Sequence, residues 1–258
     1  PQFVLHSSWG GPFIFLNDLI FNKLSFSLID KTIAITPWEL NIINKYAGEE
    51  SKIKVIPNGT DKILYKKIKD NRFKEKYKIN EKNMVLFFGR LNPTKGPEKL
   101  ALTAINISRE RKNIAFVWAG PDEGKADEVK GLIKPYKNMK YIGAIRGKEK
   151  IAEMYQASDV YVLPSYREGL PLTLFEAMAS GLPIVASPVN GVPFEMKEPE
   201  NGFFSDYGDI KSLENNILKI IDNPKLTKKI SANNKKRALL YDWDNIYKKY
   251  MKEYKISW

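Results

Sequence analysis

The sequence has no cysteine and a single histidine, His6. Without cysteine there is no disulfide framework, no thiolate metal site and no thiol nucleophile. A Ser-His-Asp hydrolase or a His-ligated zinc site would rest on that one histidine near the start, which disfavours both. Long apolar runs are missing as well. The longest, Phe13 to Ile29, is broken by Asn17, Asp18, Asn22 and Lys23, whereas a bilayer span needs roughly 20 predominantly apolar residues. It reads as a buried helix, the alternative being a helix lying on a membrane surface. No basic stretch precedes the apolar Phe3-Val4-Leu5 and no small-residue cleavage site follows it, so it does not read as a signal peptide.

What is present is a globular composition with a strong charge bias. In 258 residues, 43% hydrophobic and 28% charged side chains exclude disorder, a collagen-like fibre and a coiled coil. Lys plus Arg number 42 against 30 Asp plus Glu, a formal charge of +12. That balance suits an anionic partner: nucleic acid, an acidic membrane surface or a phosphorylated small molecule. The lysines of Lys62 to Lys82 and Lys225 to Arg237 read mainly as solvated helix faces.

The pattern along the chain predicts an α/β fold with a Rossmann-like parallel sheet. Apolar runs at Phe3 to His6, Thr32 to Ile35, Lys54 to Ile56, Met84 to Phe88, Ala115 to Ala119, Lys140 to Ile142, Val160 to Pro164 and Pro183 to Ala186 are mostly continuous. Continuous runs mark strands buried on both faces of a parallel sheet. Amphipathic helices are expected between them at Pro97 to Arg109, Lys125 to Lys134, Glu149 to Ala157 and Leu172 to Ser180. Three more are expected at Asp209 to Ile221, Pro224 to Leu239 and Trp243 to Tyr254. The Lys-rich, strand-poor stretch Asp61 to Asn83 reads as a linker or domain boundary. Only three strands precede it, so residues 1–61 are expected to be the second half of a domain whose first half is absent. Residues 62–240 then form one complete domain, and residues 241–258 a terminal helix that packs back on the first.

Ligands of open parallel sheets bind beyond the carboxyl ends of the strands, so the loops there hold the candidate chemistry. In Gly89-Arg90-Leu91-Asn92-Pro93-Thr94-Lys95-Gly96, Gly89 frees the backbone to leave the sheet and Arg90 and Lys95 flank a turn from which both can reach one anion. The loop Ser165 to Glu176 carries two carboxylates, Glu168 and Glu176, and the amides of Gly169 and Leu170 lie just before a helix start, a ready anion site. A glycosidase pair is the rival reading of the carboxylates, and a helix-capping role the bland one for Glu176. The turns Ser180-Gly181-Leu182-Pro183 and Asn190-Gly191-Val192-Pro193 are punctuation when taken singly.

Taken in order, these segments, with Ala119-Gly120-Pro121, Tyr141-Ile142-Gly143 and Glu176-Ala177-Met178-Ala179, resemble the nucleotide-sugar half of retaining glycosyltransferases of family 4, which have the two-domain GT-B architecture. Glu168 and Glu176 carry that family's Glu-x7-Glu spacing, and Ile56-Pro57-Asn58-Gly59 with Asp61 resembles the segment that ends its first domain. Close similarity covers residues 84–195 and a looser one residues 3–61. The resemblance implies that Arg90 and Lys95 grip the donor diphosphate, Gly89 opening their loop. Glu168 would bond hydroxyls of the donor sugar, aided by the backbone amides of Gly169, Leu170, Pro171 and Leu172, and Glu176 would hold the ribose. The nucleobase would lie against Gly143 to Arg146, including Ile145, and His6 would approach the sugar from the other domain. Catalytic residues are then Arg90, Lys95, Glu168 and His6.

Glu195, one residue later than the family's usual Glu, is given no role. The implied reaction moves a hexose from a nucleoside diphosphate sugar, UDP or GDP type, to a glycan or lipid-linked acceptor with retention. It needs no cofactor and no metal. The expected setting is cytoplasmic, with peripheral contact to an anionic membrane and no nucleic acid bound. The alternatives are a GT-B nucleotide-sugar epimerase and, further behind, a basic nucleic-acid-binding module.

Overall fold

The computed structural model describes residues 24–26, 28–47 and 52–254. His6, the strand expected at Phe3 to His6 and most of the apolar stretch Phe13 to Ile29 lie outside those residues. The first described unit is a β–α–β crossover: β1 (Thr32–Ala34), α1 (Leu40–Ala47) and β2 (Ile53–Val55), the two strands pairing in parallel. Helix α1 was not among the expected elements; its entry is marked by Thr36, whose hydroxyl accepts from the Trp38 amide ahead of a proline-led 3-10 turn.

The second unit runs α2 (Phe73–Lys76), β3 (Asn83–Phe88), α3 (Pro97–Glu110), β4 (Ile114–Ala119), α4 (Ala126–Ile133), β5 (Met139–Tyr141), α5 (Lys148–Gln156), β6 (Val160–Leu163), α6 (Leu172–Ala179), β7 (Ile184–Ala186), α7 (Val192–Glu195) and β8 (Gly202–Phe204). It closes with α8 (Ile210–Ile221), α9 (Pro224–Ala238) and α10 (Trp243–Tyr254). All six strands are parallel, in the order β5-β4-β3-β6-β7-β8. Chain direction across the sheet therefore reverses between β3 and β6, the place where doubly wound sheets open a crevice at their carboxyl edge.

The continuous apolar runs divide cleanly between the two faces. Met84, Leu86, Ala115, Val117, Tyr161, Leu163 and Ile184 face one buried cluster. Val85, Phe87, Ile114, Phe116, Trp118, Val160, Val162 and Val185 face the other. Side chains alternate along a strand, so a strand covered by helices on both sides must be apolar at every position.

The stretch at Asp61 to Asn83, read as a linker or domain boundary, is packed structure rather than a free linker. Leu64, Phe73 and Ile79 are buried in the first cluster. It is tied to α5 as well: the Ile68 amide donates to Gln156 Oε1 (2.9 Å), Gln156 Nε2 to the Lys66 carbonyl (2.7 Å) and the Asn71 side chain, through Nδ2, to the Glu153 carbonyl (2.8 Å). Its lysines made it look solvated, but the apolar residues between them face inward. Strand β8 escaped the sequence reading because it is three residues long and opens on Gly202, at φ +147°, where a Cβ would stand 1.8 Å from the Ile184 carbonyl oxygen.

The chain's last turn and helix pack against its first unit and the segment that follows it. The Thr60 amide donates to the Tyr241 carbonyl (2.7 Å), Trp243 lies so close over Gly59 that a Cβ there would sit 2.5 Å from its ring, and Lys31 pairs with Glu253 (3.3 Å). Glu195 has a structural place: it accepts from the Tyr241 hydroxyl and its carbonyl accepts from Arg237 Nε (2.6 Å). At the amino edge of the large sheet lies a groove of about 800 Å³, lined by Lys66, Lys67, Lys82, Lys228 and Lys235 and by the final residues of α5, α6 and α8. None of these lysines has a carboxylate partner among the described residues.

Candidate functional site

Beyond β3 and β4 the two backbone segments close to van der Waals limits. Gly89 donates to the Ala119 carbonyl (3.0 Å) and Gly120 to the Gly143 carbonyl (2.8 Å). Gly120 sits at φ +140°, where a Cβ would stand 1.8 Å from the Gly89 carbonyl oxygen. Only glycine fits both the angle and the approach. Next, Asn92 Oδ1 accepts from the Thr94 hydroxyl (2.8 Å) and the Lys95 amide (3.2 Å), folding the loop back. The Thr94 carbonyl accepts from the Tyr166 amide (2.8 Å), which joins this loop to the one after β6.

That junction brings Lys95 onto Glu168. Lys95 Nζ lies 2.7 and 2.6 Å from the two carboxylate oxygens, and the Ser165 hydroxyl donates to Oε1 at 2.6 Å. Glu168 is only 6% exposed. A carboxylate so buried is tolerated because a cation and a hydroxyl satisfy it. The loop after β7 completes the clamp: the Glu168 amide donates to Asn190 Oδ1 (3.3 Å), Asn190 being held at φ +49°, and Gly191 backs so closely on the Gly169 carbonyl that a Cβ would lie 2.4 Å away. Three strand ends thus converge on one ion pair at the switch point.

Both expected cations are at the carboxyl edge of the sheet, and each is paired there. Lys95 is engaged by Glu168, and Arg90, largely exposed, pairs with Glu123 at 3.3 Å, which also accepts from Asn92 Nδ2 (2.9 Å). Each expected cation already has an acidic neighbour from another loop. A diphosphate would have to exchange partners with both.

Glu176 lies one turn into α6 and is half-buried, with Oε2 accepting from the Tyr155 hydroxyl at 2.9 Å. Burial raises its carboxyl above the ordinary Glu range, the Tyr155 hydrogen bond works against that, and the negative Asp61 adds to it. Asp61 itself is held below its usual value, first by Lys148, with which it forms an ion pair. Burial pushes the Tyr155 hydroxyl well above the usual tyrosine range, so it remains a donor.

After β5, Gly143 takes φ +73°, Ile145 packs on the core and Arg146 is exposed. Of the four residues expected to present amides, Pro171 has no N–H and can only cap the start of α6; Gly169, Leu170 and Leu172 keep theirs. Sequence reasoning passed over Ser165, Glu123, Lys148 and Tyr155. Ser165, directly after a strand and three before Glu168, carried a legible signal. Tyr155, in an amphipathic helix, looks like any core aromatic. Among the described residues no group of three or more His, Asp and Glu is gathered to hold a metal ion, and no helix is long and apolar enough to cross a membrane.

A parallel α/β sheet whose strand order reverses beneath clustered ionic loops is the architecture of GT-B type glycosyltransferases, and the solved structures that resemble it agree. Residues 69–237 match the family described as "Glycosyl transferases group 1", and the chain belongs to that family. Sucrose-phosphate synthase from Thermosynechococcus elongatus superposes with a TM-score of 0.78 at 27% identity, over 93% of this chain and 61% of that one. The chain is 34% identical over 178 residues to the Escherichia coli protein named UDP-Gal:alpha-D-GlcNAc-diphosphoundecaprenol alpha-1,3-galactosyltransferase, covering 67% of this chain and 46% of the relative. To the D-inositol 3-phosphate glycosyltransferase of Streptomyces avermitilis it is 25% identical over 229 residues, covering 83% and 49%. The chain thus spans about half the length of these curated relatives.

Proposed function

We propose that this chain is the donor-binding part of a retaining hexosyltransferase of family 4, moving a hexose from a UDP or GDP sugar to a glycan or lipid-linked acceptor. The observation that carries this reading is the Lys95–Glu168 pair at the switch point. A lysine there can meet a diphosphate while the adjoining carboxylate meets the hydroxyls of the sugar attached to it. Arg90 exchanges Glu123 for the same diphosphate. The amides of Gly169, Leu170 and Leu172 support the sugar, Glu176 accepts from the ribose hydroxyls, and the base lies against Gly143, Ile145 and Arg146. His6 would act on the sugar from the acceptor-side domain, to which residues 1–61 belong; residues 62–240 form the donor domain, and 241–258 the returning helix.

In the transfer, the bond from the anomeric carbon to the diphosphate oxygen breaks. The acceptor hydroxyl oxygen bonds to that carbon on the same face, and its proton passes to the departing phosphate. Negative charge grows on the leaving diphosphate, where Lys95 and Arg90 stabilise it. The reading requires neither a metal nor a cofactor. The name of the Escherichia coli relative, with a UDP-sugar donor and a diphosphoundecaprenol-linked acceptor, supports this donor and acceptor class.

In the full-length protein, Arg90→Ala is expected to slow transfer by about a hundredfold to a thousandfold, the scale for removing one donor aimed at developing charge. Glu168→Ala is expected to abolish it. Transfer at the unaltered rate in either variant overturns the assignment, and nucleotide release that ignores the acceptor marks an epimerase instead. The +12 charge and a lipid-linked acceptor also support a cytoplasmic protein in peripheral contact with an anionic membrane. It is expected to co-sediment with vesicles rich in phosphatidylglycerol at low salt; a protein left wholly in the supernatant contradicts this.

A further inference from the structure

Tyr155 stands in no expected site, yet its hydroxyl is bound to Glu176. We infer that Tyr155 is a positioning residue for the nucleotide site, fixing the Glu176 carboxylate so that its other oxygen meets the donor's ribose hydroxyls. The inference rests on the reading of Glu176 as the ribose-binding carboxylate.

A glutamate side chain has three rotatable bonds, and a half-buried one on a helix surface keeps several of its rotamers unless something selects among them. Here the selection is built from four elements. The Tyr155 ring, at the end of α5 and fully buried, meets the Phe88 ring of β3 edge-on (centroids 5.7 Å, 88° between planes) and the Tyr161 ring of β6 at 5.9 Å and 64°. The Tyr161 hydroxyl in turn donates to the Phe88 carbonyl at 3.2 Å. The Tyr155 ring therefore cannot swing, and its hydroxyl has two acceptors within reach, Glu176 Oε2 at 2.9 Å and the Thr173 carbonyl at 3.4 Å, both on α6.

The shorter contact assigns the proton to the carboxylate. Oε1 of Glu176 makes no hydrogen bond among the described residues and is not one of the buried side-chain oxygens left without a partner. It is therefore not sealed from solvent, and α6, which carries it, begins after β6 at the carboxyl edge of the sheet. One oxygen is thus tied to the core and the other is offered outward, an arrangement suited to accepting from a vicinal diol.

The test compares ligands that differ only in that diol. The full-length protein is titrated calorimetrically with UDP, GDP and ADP, and the tightest binder is compared with its 2′,3′-dideoxy counterpart. The natural protein is expected to prefer the ribonucleotide by at least about tenfold, the scale of one hydrogen bond to a charged group. In Tyr155→Phe, which keeps the ring, that preference is expected to fall to about twofold while the dideoxy affinity stays as it was; unchanged dideoxy binding also certifies the fold. Tyr161→Phe, which loses a hydroxyl from the same aromatic group without touching Glu176, is expected to keep the full preference. In a Glu176→Gln background, adding Tyr155→Phe is expected to change nothing further, and that pair leaves no carboxylate to be orphaned should Tyr155→Phe alone not fold. A further loss of the ribonucleotide in that background overturns the inference. So does an undiminished preference in Tyr155→Phe, or an equal weakening of both ligands. If the natural protein itself does not distinguish the two nucleotides, the ribose reading of Glu176 fails, a different result from either of these.

Discussion

Replacing Lys95 with Met is expected to abolish sugar transfer and to lower folding stability by about 3–5 kcal/mol, the range for breaking one side of a buried ion pair. Glu168 is nearly inaccessible, and among the described residues its carboxylate has one partner besides Lys95, the Ser165 hydroxyl. With Lys95 gone, the carboxylate would be left with a single hydroxyl as its partner in a place water scarcely reaches. The double variant Lys95→Met with Glu168→Gln separates the two effects. Removing both charges is expected to restore most of the lost stability in urea titrations, because the pair's partners no longer orphan one another. Transfer should stay absent, since the cation facing the diphosphate is still missing. A Lys95→Met protein as stable as the natural one would mean that the pair does not order the three loops.

The second large effect is structural and falls on Gly120. An alanine there must adopt φ near +140° and place its Cβ 1.8 Å from the Gly89 carbonyl oxygen, a backbone atom that cannot turn aside. The dihedral strain, together with the forced separation of β3 and β4, is expected to cost roughly 4 kcal/mol. The separation would also loosen the amide bridge from Gly120 to Gly143, so nucleotide affinity should fall alongside the urea midpoint. Gly124→Ala is the matched control. Gly124 also has positive φ, +98°, but nothing lies within 4 Å of the added methyl group. Its loss should be confined to dihedral strain, about 1–2 kcal/mol. Equal losses in the two variants would remove the steric argument.

Much of the large sheet is legible because its physics is local. A strand covered on both faces must be apolar throughout, and Met84 to Phe88, Ala115 to Ala119 and Val160 to Leu163 announce themselves on that ground. Where the signal is short or mixed, it fails. Gly202–Phe204 is too brief to stand out beside a glycine, and the lysines between Leu64, Phe73 and Ile79 hid a packed segment behind the look of a linker.

The site shows the same division. Lys95, Glu168 and Glu176 stand out because loops after parallel strands are where ligands go, and their motif order is specific. That Lys95 and Glu168, 73 residues apart, bind each other depends on β3 lying beside β6, which no run of residues reveals. Nor does any pattern distinguish Tyr155 from an aromatic with no polar task, because its partner is 21 residues away on a different helix.

The lysine-lined groove on the opposite edge of the sheet bears on the same cleft through the helices themselves. α5 and α6 run from the ligand edge to that groove, their first residues being Lys148 and Leu172 and their last Gln156 and Ala179. A helix of eight or nine residues is about 13 Å long. Its carbonyl end therefore lies near enough to cancel part of the positive potential that its amide end presents to an anion. Lysines that share the groove with those carbonyl ends are suited to offset the opposing pole. More of each helix's positive end would then act at the cleft, an attraction for anions that adds to whatever the cationic side chains there supply.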